Sequence, residues 1–273
     1  MSAARSVLVG ACALLLLTGC TGATKPTTAG TPASTGAQPG ATSPATTASA
    51  PVLALRRAVI SYGQALAGTT PATVREGLKL TAPNSVAYRY LEHMANTTDP
   101  LLQAAPPDPN RAPLPFGDDG FKFCTIPNNN FSCSTYRFTV NQDGKLVDFT
   151  IDKEPVGPHF TLVSGRPITV GGVRITLLTA YETMTGGHLV VSLKVESGAE
   201  AITTNPKTWT YRGADGKLVA VWGASGPTYV VARSSVIVWM SFQTAKAGGS
   251  ITVNGCPSKD CPSGSFSMVL KVG

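Results

Sequence analysis

The sequence predicts an α+β domain followed by an all-β sandwich, both placed behind an export signal and a flexible tether. Three observations favour this order. Residues 21–51 are almost entirely Thr, Ala, Ser, Gly and Pro, apolar residues then recur at helical spacing up to residue 95, and a period of two dominates from residue 121 onward. The predicted boundaries are 1–19 for the signal, 20–51 for the tether, 52–156 for the α+β domain and 160–273 for the sandwich.

The first twenty residues carry the most specific motif. An apolar run over residues 7–17 follows a single positive charge, Arg5, and closes in Leu17-Thr18-Gly19-Cys20. The run is too short to cross about 30 Å of hydrocarbon, which needs roughly 20 residues. An ordinary secretory signal would favour Ala-x-Ala before its cleavage site, whereas this one ends on cysteine.

This pattern resembles the lipobox of bacterial lipoproteins. The resemblance implies cleavage between Gly19 and Cys20 and a diacylglyceryl group, with fatty acids such as palmitate, on the Cys20 thiol. It also implies a protein anchored by lipid on the extracytoplasmic side of the cell membrane. The tether, whose only charge is Lys25, would then hold the folded part away from the lipid surface, and its many threonines leave glycosylation open.

Charge and composition exclude one class of partner. The 273-residue chain has a formal net charge of +7, but only 14% of its residues are charged and the positive ones are scattered. A nucleic-acid-binding protein is expected to have a basic patch or stripe, which this sequence lacks. We therefore expect no nucleic-acid partner. The net positive charge is more consistent with a weak attraction to anionic lipid headgroups.

Cysteine usage fits an exported protein. Of the six cysteines, Cys12 leaves with the signal and Cys20 takes the lipid, so four remain as two close pairs: Cys124 with Cys133, and Cys256 with Cys261. In an oxidising compartment such neighbours form disulfides, which would stabilise the fold by about 2 to 3 kcal/mol each in the chain-entropy model. The alternative is a zinc site with four cysteine ligands, but neither pair has the two-residue spacing of a zinc knuckle.

Helical and strand patterns succeed each other in the α+β segment. Helices are predicted over 53–67, 70–80 and 84–95, a proline-rich irregular loop over 100–115, and strands over 121–125, 132–140 and 146–151. The last two strands are joined by a hairpin turn at Gln142-Asp143-Gly144.

Helices followed by a twisted antiparallel sheet, ending in residues 143–149, resemble the cone-shaped nuclear-transport-factor-2-like fold. The resemblance implies a pocket between helices and sheet, for which the aromatic and histidine residues of the segment are candidate lining: Tyr62, Tyr90, His93, Tyr136 and Phe138. Packing in the core is the alternative explanation for these five. The segment shows none of the catalytic motifs of enzymes with this fold, so no catalytic residue is carried over.

Beyond Gly157-Pro158 the pattern is one strand after another. Strands are predicted over 173–181, 189–196, 207–212, 217–221, 235–244, 250–253 and 266–272, with a tight turn at Asp215-Gly216. In the second of these, Leu189, Val191, Leu193 and Val195 alternate with polar residues that include Ser192 and Lys194, which is typical of a half-buried strand. Seven or more short strands separated by turns predict a β-sandwich.

The runs 165–173, 214–217 and 235–242 stand in an order that resembles immunoglobulin-like domains of actinobacterial lipoproteins and of a secreted mycobacterial antigen family. The resemblance implies a domain that mediates interactions. The last run is apolar on both faces, so Trp239 lies either where the two domains meet or in an exposed patch for a partner.

The sequence contains few candidate catalytic or metal-binding motifs. The sequence Gly223-Ala224-Ser225-Gly226-Pro227 fails as a nucleophile elbow because its second glycine comes one position early. His93, His159 and His188 are far apart and form no metal motif, so we expect no metal and no cofactor.

The predicted function is therefore a non-enzymatic, membrane-anchored envelope lipoprotein that presents two small domains to an envelope component or a protein partner. The alternative is a carrier or sensor that holds a small apolar ligand in the α+β pocket.

Overall fold

In this computed structural model we describe residues 50–68, 70–98, 114–117, 120–125, 132–184, 186–257 and 265–273. The predicted lipobox with Cys20, the tether as far as residue 49, and Cys261 lie outside these ranges. Residues 47–273 belong to one compact unit, and the predicted division into domains at 156–160 stays a prediction. Within the described ranges, every helix is too short or too polar to cross a membrane.

The first part of this unit is helical. It contains α1 (Ala50–Leu66), α2 (Pro71–Arg75) followed directly by a 3₁₀ turn (Glu76–Leu80), and α3 (Val86–Thr97). The hydroxyl of Ser85 caps α3 by accepting the N–H of Tyr88 at 3.2 Å. The sequence placed the start of α3 two residues too early because Asn84 has a left-handed backbone (φ 62°) that no helix can contain.

A five-stranded antiparallel sheet follows, with its strands side by side in chain order: β1 (Leu114–Gly117), β2 (Gly120–Thr125), β3 (Ser132–Val140), β4 (Leu146–Ile151) and β5 (Glu154–Pro155). One face of this sheet packs against the helices, and Leu91, Leu146 and Phe149 are almost fully buried between them. The sequence prediction missed β1, which lies partly in the proline-rich segment, and the two-residue β5.

The rest of the unit is a β-sandwich, so the predicted β-sheet class of this region is confirmed. Its strands are β6 (Phe160–Thr161), β7 (Ile168–Val170), β8 (Val173–Glu182), β9 (Leu189–Glu196), β10 (Ile202–Thr204), β11 (Thr210–Arg212), β12 (Leu218–Ala220), β13 (Gly223–Ser225), β14 (Tyr229–Val230), β15 (Ser235–Phe242), β16 (Ser250–Pro257) and β17 (Phe266–Lys271). One sheet has the order β13-β15-β9-β8-β6 with β7 beside β8, and the other has the order β12-β11-β16-β10-β14 with β17 beside β16. Their inner faces share one hydrophobic core.

Helix α3 lies against the outer face of the sheet formed by β8, β9 and β15. Tyr181 of β8 therefore belongs to the hydrophobic core of the helical part. This contact corrects one sequence prediction. Ser192, read as the solvent side of a half-buried strand, is 0% exposed, because its outward-facing hydroxyl lies beneath α3.

Two of the four predicted disulfide cysteines have a described side chain. Cys133 and Cys256 are each disulfide-bonded. The strand register places the Cα of Cys124 opposite that of Cys133. The side chain of Cys124 and the whole of Cys261 lie outside the described residues, so the two pairings stay predictions.

Candidate functional site

A cavity of about 410 Å³ opens where α3 meets both the five-stranded sheet and the outer face of the sandwich. We call it the junction cavity. The helix, the five-stranded sheet and the sandwich region all contribute to its wall. The lining residues are Tyr90, His93, Met94 and Thr97 of α3, Ser134, Tyr136 and Ile151 of the five-stranded sheet, and Tyr181, Thr183, Met184, Val190 and Trp239 of the sandwich region. Eight of these twelve side chains are aromatic, methionine or aliphatic, and the other four are His93 and three Thr or Ser residues.

The five residues proposed from sequence separate into two groups. Tyr90, His93 and Tyr136 lie in the wall of the junction cavity. Tyr62 is 0% exposed and donates its hydroxyl to the carbonyl of Ala87 at 2.9 Å, so it belongs to the core. Phe138 also packs there, with its ring centroid 5.0 Å from that of Tyr62.

A chain of buried polar groups joins α3 to the sandwich beside the cavity. The Nδ1 atom of His93 lies 2.8 Å from the hydroxyl of Thr179, which in turn lies 2.6 Å from the hydroxyl of Ser192. All three side chains are less than a tenth exposed. Because an unpaired buried polar group costs free energy, these bonds favour the packing of α3 on the strands in which all three groups are paired.

The ionisable groups of the wall are neutral near pH 7. Burial lowers the pKa of His93 from 6.5 to about 3. Burial also raises the pKa values of Tyr90, Tyr136 and Tyr181 above their ordinary value of 10, so these phenols keep their protons. The described lining of the cavity therefore carries no formal charge.

Aromatic edges and faces give the wall its shape. The ring of Tyr181 stands edge-on to Tyr90 at 5.7 Å and tilted to His93 at 5.3 Å, measured between ring centroids. Such arrangements suit the quadrupoles of the rings and hold them in place. The cavity is therefore bounded by groups that packing has already oriented.

Of the two alternatives considered for Trp239, the structure does not show the exposed patch. Its strand, β15, contacts α3, and its side chain is half-buried in the cavity wall. Its indole Nε1 is buried and has no hydrogen-bond partner among the described residues. The other two tryptophans differ, since Trp209 donates to the carbonyl of Asn254 at 2.8 Å and Trp222 is 67% exposed.

Sequence reasoning missed the sandwich side of the wall. Thr183, Met184 and Val190 lie where β8 ends and β9 begins, and the sequence predicted only the two strands there, without a site. The only signal available was the apolar outer face of residues 235–242, which indicated a covered strand without indicating what covers it.

Asp148 and Asp152 are not among the described residues that line the junction cavity. Asp148 and Asp152 alternate along the chain with Phe149 and Ile151, so they lie on the opposite face of the sheet from the cavity. Asp152 instead accepts the N–H of Thr135 at 2.7 Å on that outer face. Within the described ranges, His, Cys, Asp and Glu nowhere gather in a group of three that would hold a metal ion.

The sequence matches no protein-family profile and no curated protein. Among solved structures, MPT63, a secreted protein of Mycobacterium tuberculosis, weakly resembles the C-terminal β region: it is 15% identical, aligned over 34% of this chain and 87% of its own, with a TM-score of 0.28. A functionally unknown protein of Listeria monocytogenes is 8% identical over 42% of this chain and 85% of its own, with a TM-score of 0.29.

The GAE domain of GGA2p from Saccharomyces cerevisiae is 7% identical over 40% of this chain and 96% of its own, with a TM-score of 0.27. Likenesses this weak support no conclusion about function, which rests on the site itself.

Proposed function

We propose that this chain is a non-catalytic lipoprotein of the bacterial cell envelope, anchored through Cys20, that carries or senses a small, neutral and largely apolar molecule in the junction cavity. The observation that carries the proposal is the cavity itself. Its volume of about 410 Å³ lies within the range of roughly 300 to 1,000 Å³ that is common for small-molecule sites.

The lining argues for the chemical class of the ligand. Tyr90, Tyr136 and Trp239 offer rigid aromatic surfaces, and Met94 and Met184 offer flexible, polarisable ones that adapt to an irregular shape. A charged ligand would lose its hydration on entering without gaining a counter-charge from the wall, which makes a neutral molecule the better fit.

The absence of catalysis is part of the proposal, and the state of His93 supports it. A general base works best when its pKa lies near the operating pH, whereas burial holds the pKa of His93 at about 3. The Nδ1 atom of this ring is also engaged with Thr179. A structural role in joining α3 to the sandwich explains this histidine.

We also propose that the helices with the five-stranded sheet form a nuclear-transport-factor-2-like part and that the sandwich is immunoglobulin-like. These proposals agree with helices on an antiparallel sheet followed by two packed antiparallel sheets. The expected pocket of the first part would lie between its own helices and sheet. Here the sandwich supplies part of the wall, through Val190 and Trp239 among others.

The proposal is tested by titrating the mature protein with N-phenyl-1-naphthylamine, a neutral aromatic dye that becomes fluorescent in apolar sites. We expect saturable binding that Val190→Phe weakens at least tenfold, because the larger side chain fills the cavity. The matched control is Val231→Phe, which changes a residue that is 61% exposed and does not line the cavity. Absence of saturable binding, or equal binding by Val190→Phe and the original protein, would refute the proposal.

Presentation of a surface to a protein partner is the second candidate function, and one group favours it. Trp222 is 67% exposed, with the ring of His188 at 4.8 Å from its own, and exposed tryptophans are frequent anchors in protein interfaces. Crosslinking from position 222 in intact cells tests it. A specific partner captured there but not from position 269, where the exposed Val269 lies on the other sheet, would support this function.

A further inference from the structure

We infer that the ligand of the junction cavity carries an uncharged hydrogen-bond acceptor, such as a ketone or ester oxygen, which binds the indole N–H of Trp239. The inference rests on the proposed function and adds the chemistry by which the ligand is recognised. Trp239 lines the cavity, and its Nε1 atom is buried without a hydrogen-bond partner among the described residues.

The unpaired indole is an exception within the described part of the chain. There, a buried side-chain nitrogen or oxygen without a partner occurs only at Nε1 of Trp239 and at Nε of Arg89, and Arg89 does not line the cavity. Trp209, by contrast, donates its indole N–H to the carbonyl of Asn254 at 2.8 Å. A buried donor without an acceptor costs free energy, so its retention requires a reason. For Trp239 the reason we give is that the acceptor arrives with the ligand.

The packing of Gly223 shows which way the indole faces. A methyl group on the Cα atom of Gly223 would lie 3.8 Å from Cζ3 and 3.9 Å from Cη2 of Trp239. These two carbons belong to the edge of the indole that lies away from Nε1, so that edge faces β13. The edge with Nε1 therefore faces α3 and β9, the other neighbour of β15. Met94 of α3 and Val190 of β9 line the cavity on this side.

The hydroxyl group on the neighbouring strand is already engaged. Ser192 lies opposite Trp239 in the pairing of β15 with β9, and its hydroxyl lies 2.6 Å from that of Thr179. Thr179 belongs to β8, on the far side of β9 from Trp239, so this bond directs the Ser192 hydroxyl away from the indole. The indole N–H is therefore left for an acceptor that comes from outside the protein.

A neutral oxygen fits this donor best. The described lining of the cavity carries no formal charge, so a carboxylate would lose its hydration without gaining a counter-charge. A ketone or ester oxygen accepts one N–H and loses less hydration on entering. Nε1 is closed off from water, and the flexible side chain of Met94 in the same wall can change its rotamer to admit the oxygen. The expected ligand is thus an apolar body with a carbonyl group.

The test compares two probes of nearly the same shape. One is 2-acetylnaphthalene, which has a ketone oxygen, and the other is 2-isopropenylnaphthalene, which has a methylene group in its place. The mature protein is isotopically labelled at its tryptophan nitrogens, its indole N–H resonances are followed by NMR, and Trp239→Phe identifies the resonance of Trp239 by its loss. At saturation that resonance should lie further downfield with the ketone than with the hydrocarbon, because a hydrogen bond deshields the proton. The ring currents of the two probes are nearly equal, so the difference reports the bond.

Affinities, measured by displacement of N-phenyl-1-naphthylamine, provide the second readout. Trp239→Phe should weaken the ketone about fivefold more than the hydrocarbon, since only the ketone loses a hydrogen bond. Met94→Leu is the matched control, because it alters the same wall but keeps the indole. It should change both affinities by the same factor.

Three results overturn the inference while the proposed function stands. They are the same Trp239 resonance with both probes, an equal loss of both affinities in Trp239→Phe, and binding of the hydrocarbon without the ketone. The first would mean that Nε1 stays unpaired in the complex or bonds only to water. Absence of saturable binding by the dye and by both probes would overturn the inference together with the proposed function.

Discussion

The buried His93 makes the stability of the fold depend on pH in a window where few other groups titrate. Its pKa is about 3 in the folded protein and 6.5 in the ordinary, solvated state. Between these two values the unfolded chain binds more protons than the folded one, so stability falls as the pH is lowered. The contribution is complete above pH 6.5 and is lost progressively as the pH falls toward 3.

The size of the effect follows from the same two values. At pH 5 the loss is about 1.4 kcal/mol per pH unit over the 1.5 units below 6.5, or about 2 kcal/mol. Glu76 and Glu196 also have perturbed pKa values, but these are lowered from 4.5, and the stability linked to them is lost only as the pH falls through that lower range. Burial raises the pKa of Glu92 above 4.5, so this group opposes the effect of His93 as the pH falls. The part of the pH dependence that belongs to His93 is therefore the part that a substitution of His93 removes.

Urea unfolding at the two pH values measures the difference directly. We expect the free energy of unfolding of the original protein to drop by about 2 kcal/mol at pH 5. His93→Asn, which puts a neutral amide near the position of Nδ1, should be less stable at pH 7.5 but should lose the pH dependence. His188→Asn is the matched control and should keep it. Equal stability of the original protein at both pH values, or an undiminished drop in His93→Asn, would refute the assignment.

Three further predictions follow from the junction and the anchor. Thr179→Val leaves the ring nitrogen of His93 without its buried partner and should lower the free energy of unfolding by about 1 to 3 kcal/mol in chemical denaturation, with no change in the dye-binding stoichiometry. Trp209→Phe should cost about 1 kcal/mol or more because it removes a hydrogen bond, whereas Trp239→Phe removes none and should cost clearly less; reversal of that order in urea unfolding contradicts the bonding described. Cys20→Ala should abolish acylation and leave the signal uncleaved at that site, as mass spectrometry of the membrane fraction would show.

Local patterns predicted most of the strands and helices of this chain, because burial of one face imposes a period that is visible in the sequence. The alternation of Leu189, Val191 and Leu193 predicted β9, and all three are 0% exposed in the sandwich core. The Asp-Gly pairs predicted two turns in the same way, and Gly144 and Gly216 both have positive φ angles at these turns. Very short strands such as β5 and β14 have too few residues to show a period.

The junction could not be predicted in the same way. Polar residues on the outer face of a strand normally indicate solvent, so Ser192 was read as exposed, and Thr179 carried no signal that distinguished it from a surface threonine. Their burial depends on α3, which is more than 80 residues earlier in the chain for the bond between His93 and Thr179. Burial by residues that are distant in the sequence produces no periodic pattern in either segment.

The position of the cavity at this junction has a physical consequence for ligand binding. A ligand that contacts α3, the five-stranded sheet and the sandwich binds only when all three are assembled, so it stabilises the assembled state by mass action. At a free concentration of one hundred times its dissociation constant, the gain is about 2.7 kcal/mol. That gain is comparable to the loss of about 2 kcal/mol expected from His93 at pH 5. Saturation with a cavity ligand should therefore offset the acid destabilisation that His93 causes at pH 5.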